Sequence, residues 1–216
     1  MIRIIKENRL NTRIGWIEID RISVSESQTA YGELEKTAAV YRTRYGDCPA
    51  SQVEGVEHAR QLFHMIGIDP TKRRPSSEAL LRRALKNKSL YSVNTLVDVG
   101  NWCSLDFLLP ICVYDADKIH GSVKIRIGTS SDKYDALNGS VLNLEGRYCL
   151  ADDQGAFGSP ITDSKHTAVD VNTKHTLFII FGPGQYPEEK MKDHVGGSIQ
   201  RICESCGGVV LGKGVI

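Results

Sequence analysis

The sequence predicts a mixed α/β fold of the α+β kind, and three observations carry that expectation. Stretches with apolar residues at every second position, such as SVKIRI from Ser122 to Ile127, alternate with stretches whose apolar residues recur every three or four. Turn chemistry separates them, at Pro49, Gly67, Pro110, Asn138-Gly139 and Gly182-Pro183-Gly184. With 216 residues, 41% of them hydrophobic, the chain can bury a substantial core in one domain, residues 1–216.

Charge and cysteine usage narrow the class. Lys and Arg number 27 against 26 Asp and Glu, so no global field draws the protein to nucleic acid, and any such contact must come from local clustering. Six cysteines at irregular spacings read as reduced thiols of a cytoplasmic protein, not as a disulfide framework. No apolar run approaches the ~20 residues that span a bilayer, and the opening MIRIIKENRL is too charged for a signal peptide, so no membrane partner is expected.

Taken in order, Arg13 to Val24 alternates about Trp16, Ile17, Ile19 and Ile22 and predicts a first strand. A helix follows, capped by Ser25 or Ser27, with Leu34, Thr37, Ala38 and Tyr41 on one face. From about Ser51, a second helix buries Val53, Val56, Ala59, Leu62, Phe63 and Ile66 and stops at Gly67. His58 and His64 lie six apart, on different faces, and do not form a metal pair.

Residues 69–88 hold the basic cluster. Seven cations fall within seventeen residues, around a helix that starts after Pro75 and buries Leu80, Leu81, Ala84 and Leu85. A solvated face is the plain reading. The functional one is an RNA backbone held by Lys72, Arg73, Arg82, Arg83, Lys86 and Lys88.

The stretch Asn94 to Asp115, NTLVDVGNWCSLDFLLPICVYD, places apolar Leu96, Val97 and Val99 around Asp98. This predicts a buried strand, with Asp98 and Asn101 bracing the turn after it and Pro110 ending the unit. The pattern of Asn94, Val97, Asp98 and Asn101, then Leu109-Pro110 and Tyr114-Asp115, resembles the B3/B4 domain of the bacterial phenylalanyl-tRNA synthetase beta subunit. The likeness runs from about Pro75 to Ile180. It implies a B3/B4-like core of mixed or antiparallel sheet flanked by helices over residues 75–181; the strand and helices before it (1–70) and the helix and tail after it (182–216) are read from the residue pattern and lie outside the likeness.

Within that core, strands are expected at Ser122–Ile127, Glu145–Ala151, Thr167–Thr173 and Thr176–Phe181, with a loop over Thr129–Asp135 and a turn at Asn138-Gly139. One sheet system is expected to hold the strands around Val97, Val123, Tyr148, Val169 and Phe178. Glu188 to Cys206 reads as a closing helix, followed by an edge strand at Val209–Leu211. Cys203 and Cys206, at helical spacing and without a second pair, read as packing residues and not as a metal site.

The resemblance also implies a site. In the family the domain hydrolyses the ester of tyrosine wrongly joined to the phenylalanine tRNA. Its pocket threonine, histidine and glutamate correspond here to Gly100, Cys112 and Ile179, while Asn94, Asp98, Asn101, Pro110, Asp115 and Asp152 are kept. A scaffold retained with its polar lining replaced argues for an apolar ligand end. The implied ligand-binding residues are Gly100, Asn101, Cys112, Gly158, Ser159, Asp163 and Ile179. The implied partners are a tRNA or aminoacyl-tRNA and a small amino-acid-like ligand, with no metal or cofactor.

Two readings stay open. One is a free-standing hydrolase of a misacylated tRNA, with Cys112 or Asp163 near the ester and the backbone N–H groups of Gly158 and Ser159 as oxyanion donors. The other is a binding module for an amino acid, a metabolite or RNA, without catalysis. A full phenylalanine–tRNA ligase is not expected.

Overall fold

In a computed structural model, which describes residues 1–46 and 48–216, the elements run in the following order. Strands β1 (Ile4–Lys6) and β2 (Thr12–Asp20) lead into four helices, α1 (Thr29–Tyr45), α2 (Val56–Met65), α3 (Ser76–Leu85) and α4 (Thr95–Phe107). Then come β3 (Ile111–Asp115), β4 (Val123–Ile127), β5 (Lys133–Asp135), β6 (Val141–Asn143), β7 (Tyr148–Ala151) and β8 (Ala156–Gly158). The chain closes with β9 (His175–Pro183), α5 (Glu188–Cys206) and β10 (Val209–Val215). This is an α+β fold, as expected.

Its centre is an antiparallel sheet in the order β10-β2-β9-β3. β9 reads TLFIIFGP without a polar break after Thr176 because both of its faces are covered, and every residue from Thr176 to Pro183 is buried. On one face Phe178 and Ile180 meet Leu96, Val99 and Cys103 of α4 and Met191, Val195 and Ile202 of α5. On the other face Leu177, Ile179 and Phe181 meet Val123, Ile125, Tyr148 and Leu150 of a second sheet, ordered β1-β4-β7-β8. In that sheet β1 runs parallel to β4 and the remaining pairs are antiparallel. A helical layer of α1 and α3 lies beyond α4, joined to it through Leu34, Ala38, Leu81, Ala84 and Leu105.

The expectation of one sheet holding Val97, Val123, Tyr148, Val169 and Phe178 is therefore corrected to two sheets packed face to face, with Val123 and Tyr148 in one and Phe178 in the other. Val97 lies in no strand. The segment read as a strand around Leu96–Val99 is the first turn of α4, started by Asn94, whose side chain accepts a hydrogen bond from the Val97 N–H at 3.0 Å. The helix misleads because it is buried on two sides. Leu96 and Val99 face the sheet while Leu105 faces α1 and α3, so the apolar stripe widens into a run. Asp98 braces the segment before it, accepting from Ser92 Oγ at 2.6 Å and from the Val93 N–H at 3.0 Å.

Val169 also lies outside any strand. The β-branched run Thr167–Thr173 is a loop along β3, pinned by the Thr173 hydroxyl, which donates to Asp115 Oδ2 at 2.9 Å and accepts from the Asp170 N–H at 3.0 Å. The expected loop at Thr129–Asp135 instead ends in β5, which pairs with β6 across the Asn138-Gly139 turn, where Gly139 takes a φ of 86°. Of Glu145–Ala151, only Tyr148 onward is strand. The second helix starts at Val56 rather than near Ser51, because Gly55 interrupts the backbone with a φ of 99°. Among the described residues, no helix is long and apolar enough to cross a membrane.

Candidate functional site

β3 is an edge strand of the central sheet, and its outer side is where a cavity forms. On β3 the alternation of the strand sends Ile111 and Val113 toward the helices and Cys112 and Tyr114 into the sheet–sheet core. α4 crosses above Val113, and the loop after β8 runs along the strand's free edge, tied there by the Asp115 N–H donating to the Thr167 carbonyl at 2.9 Å. Between them lies a cavity of about 280 Å³. α4 contributes Val97, Gly100 and Asn101, β3 contributes Ile111 and Val113, and the edge loop contributes Asp163, Ala168 and Val169. The exposed side chains of Val93 and Leu137 complete the wall.

Two residue choices make this space. Gly100 sits where α4 comes closest to β3: a Cβ there would stand 2.9 Å from Val113 Cγ2. Asp163, the acidic residue among those that line the cavity, is half-buried, with Oδ1 accepting from the Tyr114 hydroxyl at 2.6 Å. Burial raises its pKa to about 6, against the hydrogen bond from Tyr114, which lowers it. A carboxyl group that titrates near neutrality can bind an ammonium group or take a proton from water. The remaining walls suit an apolar side chain.

Of the residues expected at the site, the structure brings Gly100, Asn101 and Asp163 together and leaves four outside the cavity. Cys112 and Ile179 are register partners on β3 and β9, and both point into the core between the sheets. The Cys112 thiol donates to the Ser159 carbonyl at 3.5 Å, and burial pushes its pKa well above the ordinary thiol value, so it is a packing residue and not an exposed nucleophile. Gly158 lies in β8, pressed so closely on Tyr114 that a Cβ would overlap the phenol oxygen. Ser159 is fully buried; its hydroxyl bonds Tyr134 and Thr162, and its N–H is turned to Asp163. Neither residue is a free oxyanion donor.

Sequence reasoning missed Val93, Val97, Ile111, Val113, Leu137, Ala168 and Val169 as wall residues, and Tyr114 as the partner of Asp163. Val97 and Tyr114 carried a signal, since both stand in the family pattern. Among the described residues, no three His, Cys, Asp or Glu side chains converge as a metal would require.

The basic cluster is divided. Arg83 is committed to the loop after α3, with Nε donating to the Ser89 carbonyl at 2.7 Å and the guanidinium 4.3 Å above the Tyr91 ring. Arg82 and Lys86 line a second cavity, beside Glu78, whose buried carboxylate takes two 2.8 Å hydrogen bonds from Arg60. Lys72, Arg73, Lys86 and Lys88 are exposed.

The family model of the B3/4 domain matches residues 58–185, from α2 through β9, and so takes in every wall of the α4–β3 cavity. The phenylalanine–tRNA ligase beta subunit of Bartonella henselae is 34% identical over 104 residues, covering 47% of this chain and 13% of that protein. The same subunit of Nitrobacter winogradskyi is 33% identical over 123 residues, covering 54% of this chain and 15% of that protein. Among solved structures, an N-terminal fragment of the phenylalanyl-tRNA synthetase beta subunit from Pyrococcus horikoshii aligns with a TM-score of 0.49 at 13% identity, over 97% of this chain and 50% of that one. The chain thus matches only a small part of those ligase subunits, and the part it matches places it in a family: the chain belongs to the B3/4 domain family.

Proposed function

We propose that the protein receives the aminoacyl end of a tRNA in the α4–β3 cavity and hydrolyses the ester of an apolar amino acid, with Asp163 as the base. The tRNA enters this reading through the ligase subunits that the chain resembles. The observation that carries the chemistry is that Asp163, its pKa raised to about 6, is the acidic residue among largely apolar lining residues. With the carboxylate ionised, Asp163 accepts a proton from water while the water oxygen attacks the ester carbonyl. The tetrahedral intermediate expels the ribose oxygen, which takes up the proton, releasing free amino acid and tRNA. The Asn101 amide, on the same wall, supplies a donor for the developing oxyanion.

The apolar side chains that line the cavity, Val97, Ile111, Val113, Ala168 and Val169, support an apolar substrate side chain over a phenol. The test is deacylation across a panel of aminoacyl-tRNAs. Leucine, isoleucine, valine and phenylalanine esters should be cleaved faster than tyrosine, and Asp163→Asn should reduce the rate by about 10²-fold or more, the usual contribution of a positioned base. Binding without acceleration of any ester would leave the cavity as a recognition site alone.

A further inference from the structure

The loop from Ser89 to Val93 joins the basic helix α3 to the cavity, and it presents one aromatic ring to solvent. Tyr91 is 63% exposed and takes a φ of 57°, a left-handed backbone that a large side chain adopts only where its surroundings hold it. The surroundings do so from both ends. Arg83 donates from Nε to the Ser89 carbonyl at 2.7 Å and lays its guanidinium 4.3 Å from the Tyr91 ring centre, while the Tyr91 N–H donates to Ser89 Oγ at 3.3 Å. On the other side Leu90 is buried, and both Ser92 and the Val93 N–H are clamped on Asp98. The ring is therefore fixed in place with an arginine beneath it and its remaining surface open. Val93, two residues on and within ~7 Å along the backbone, is already cavity wall.

We propose that Tyr91 is a stacking platform for an unpaired nucleobase of an RNA whose 3′ end lies in the α4–β3 cavity. This rests on the reading of the cavity given above and names how the nucleic-acid part of the substrate is held. A fixed, solvent-facing aromatic ring backed by a guanidinium matches the π-face that every base offers, without regard to sequence. Exposed Lys86 and Lys88 lie just before the loop, where a phosphate backbone approaching the ring would pass. The guanidinium below fixes the ring plane before the base arrives, so little ordering remains to be done on binding.

The experiment uses the full chain and a fluorescently labelled RNA hairpin of acceptor-stem type with a single-stranded 3′ end, alongside the same hairpin lacking the terminal base. Tyr91→Ala should weaken binding of the intact hairpin by about 5- to 100-fold, the range for loss of one base–aromatic stack. Tyr91→Phe should stay within about two-fold, because the ring is kept. With the abasic hairpin, Tyr91→Ala should cost nothing further, since the stack is already gone. Full affinity in Tyr91→Ala, equal losses with both hairpins, or no binding of the intact hairpin by the wild-type protein would each overturn the platform. Cleavage of small-alcohol esters of apolar amino acids, with and without Asp163→Asn, tests the cavity separately: retained Asp163-dependent cleavage alongside RNA indifference to Tyr91 rejects the platform and keeps the cavity.

Discussion

The Tyr114 hydroxyl rises from the core between the two sheets to donate a 2.6 Å hydrogen bond to Asp163, a residue that lines the cavity beside β3. The bond joins a fully buried phenol to the candidate base and fixes the orientation of that base at the strand edge. It also favours the ionised carboxyl, opposing the burial that raises the Asp163 pKa to about 6. Tyr114→Phe should accordingly raise the Asp163 pKa further. In a pH–rate profile of ester cleavage, the rising limb near pH 6 should move upward, with the plateau rate less affected. An unmoved limb would mean that the titrating group is not Asp163.

The same raised pKa has a cost in stability. The carboxyl ionises at about 6 when folded and near 3.8 when unfolded, so the unfolded chain releases its proton first as pH rises. Asp163 therefore weakens the fold progressively between about pH 4 and pH 6, and the penalty stays constant above that. Asp163→Asn, which keeps an acceptor for Tyr114, should raise the melting temperature at pH 7.5 and leave it nearly unchanged at pH 4. Calorimetry at the two pH values checks the sign, and a stabilisation confined to acid pH would contradict it. A base held at the expense of stability is what a functional carboxylate would show.

Gly100 tests how tightly α4 is seated on the sheet. Its missing Cβ leaves only the space that Val113 Cγ2 needs at 2.9 Å, so Gly100→Ala must displace one of them. Alanine gains about 1 kcal/mol of helix propensity, but overpacking at such a contact costs about 1 to 3 kcal/mol. A net loss of stability is expected in urea denaturation, and Val113→Ala in the same chain should restore it. If Gly100→Ala is stabilising on its own, the helix is less closely seated than the contact implies.

These relationships show which parts of the molecule the sequence could disclose. Strand β4 and helix α5 were legible because each buries one face and so keeps its period: Val123 and Ile125 are buried while Lys124 is exposed. Helix α4 was not, because its buried surface is too wide for a stripe, and the cap that betrays it, Asn94, stands in the sequence as one residue of a family pattern. Of the site, Gly100, Asn101 and Asp163 could be placed through the resemblance. Cys112 and Ile179 could not be placed correctly, since a single residue's shift along β3 or β9 exchanges cavity for core. The wall residues Leu137 and Val169 come from loops whose path along the β3 edge has no local signature.

The division within the basic cluster leads to a prediction about salt. Lys72, Arg73, Lys86 and Lys88 are exposed and make no ion pair among the described residues, whereas Arg83 holds Ser89 and Tyr91, and Arg74 lies 3.6 Å from Glu78. If RNA crosses this face, the four exposed cations neutralise its phosphates and release counterions, and Arg83 acts through the loop it supports. Replacing the four by glutamine should flatten the salt dependence of RNA affinity by about 0.7 to 0.9 in log–log slope for each phosphate no longer neutralised. Arg83→Gln should instead weaken binding with a smaller change of slope, because it frees the Tyr91 ring as well as removing one charge. Filter-binding titrations between low and moderate salt separate the two effects. Equal slopes for the wild-type and the four-fold variant would return residues 72–88 to the role of a solvated face.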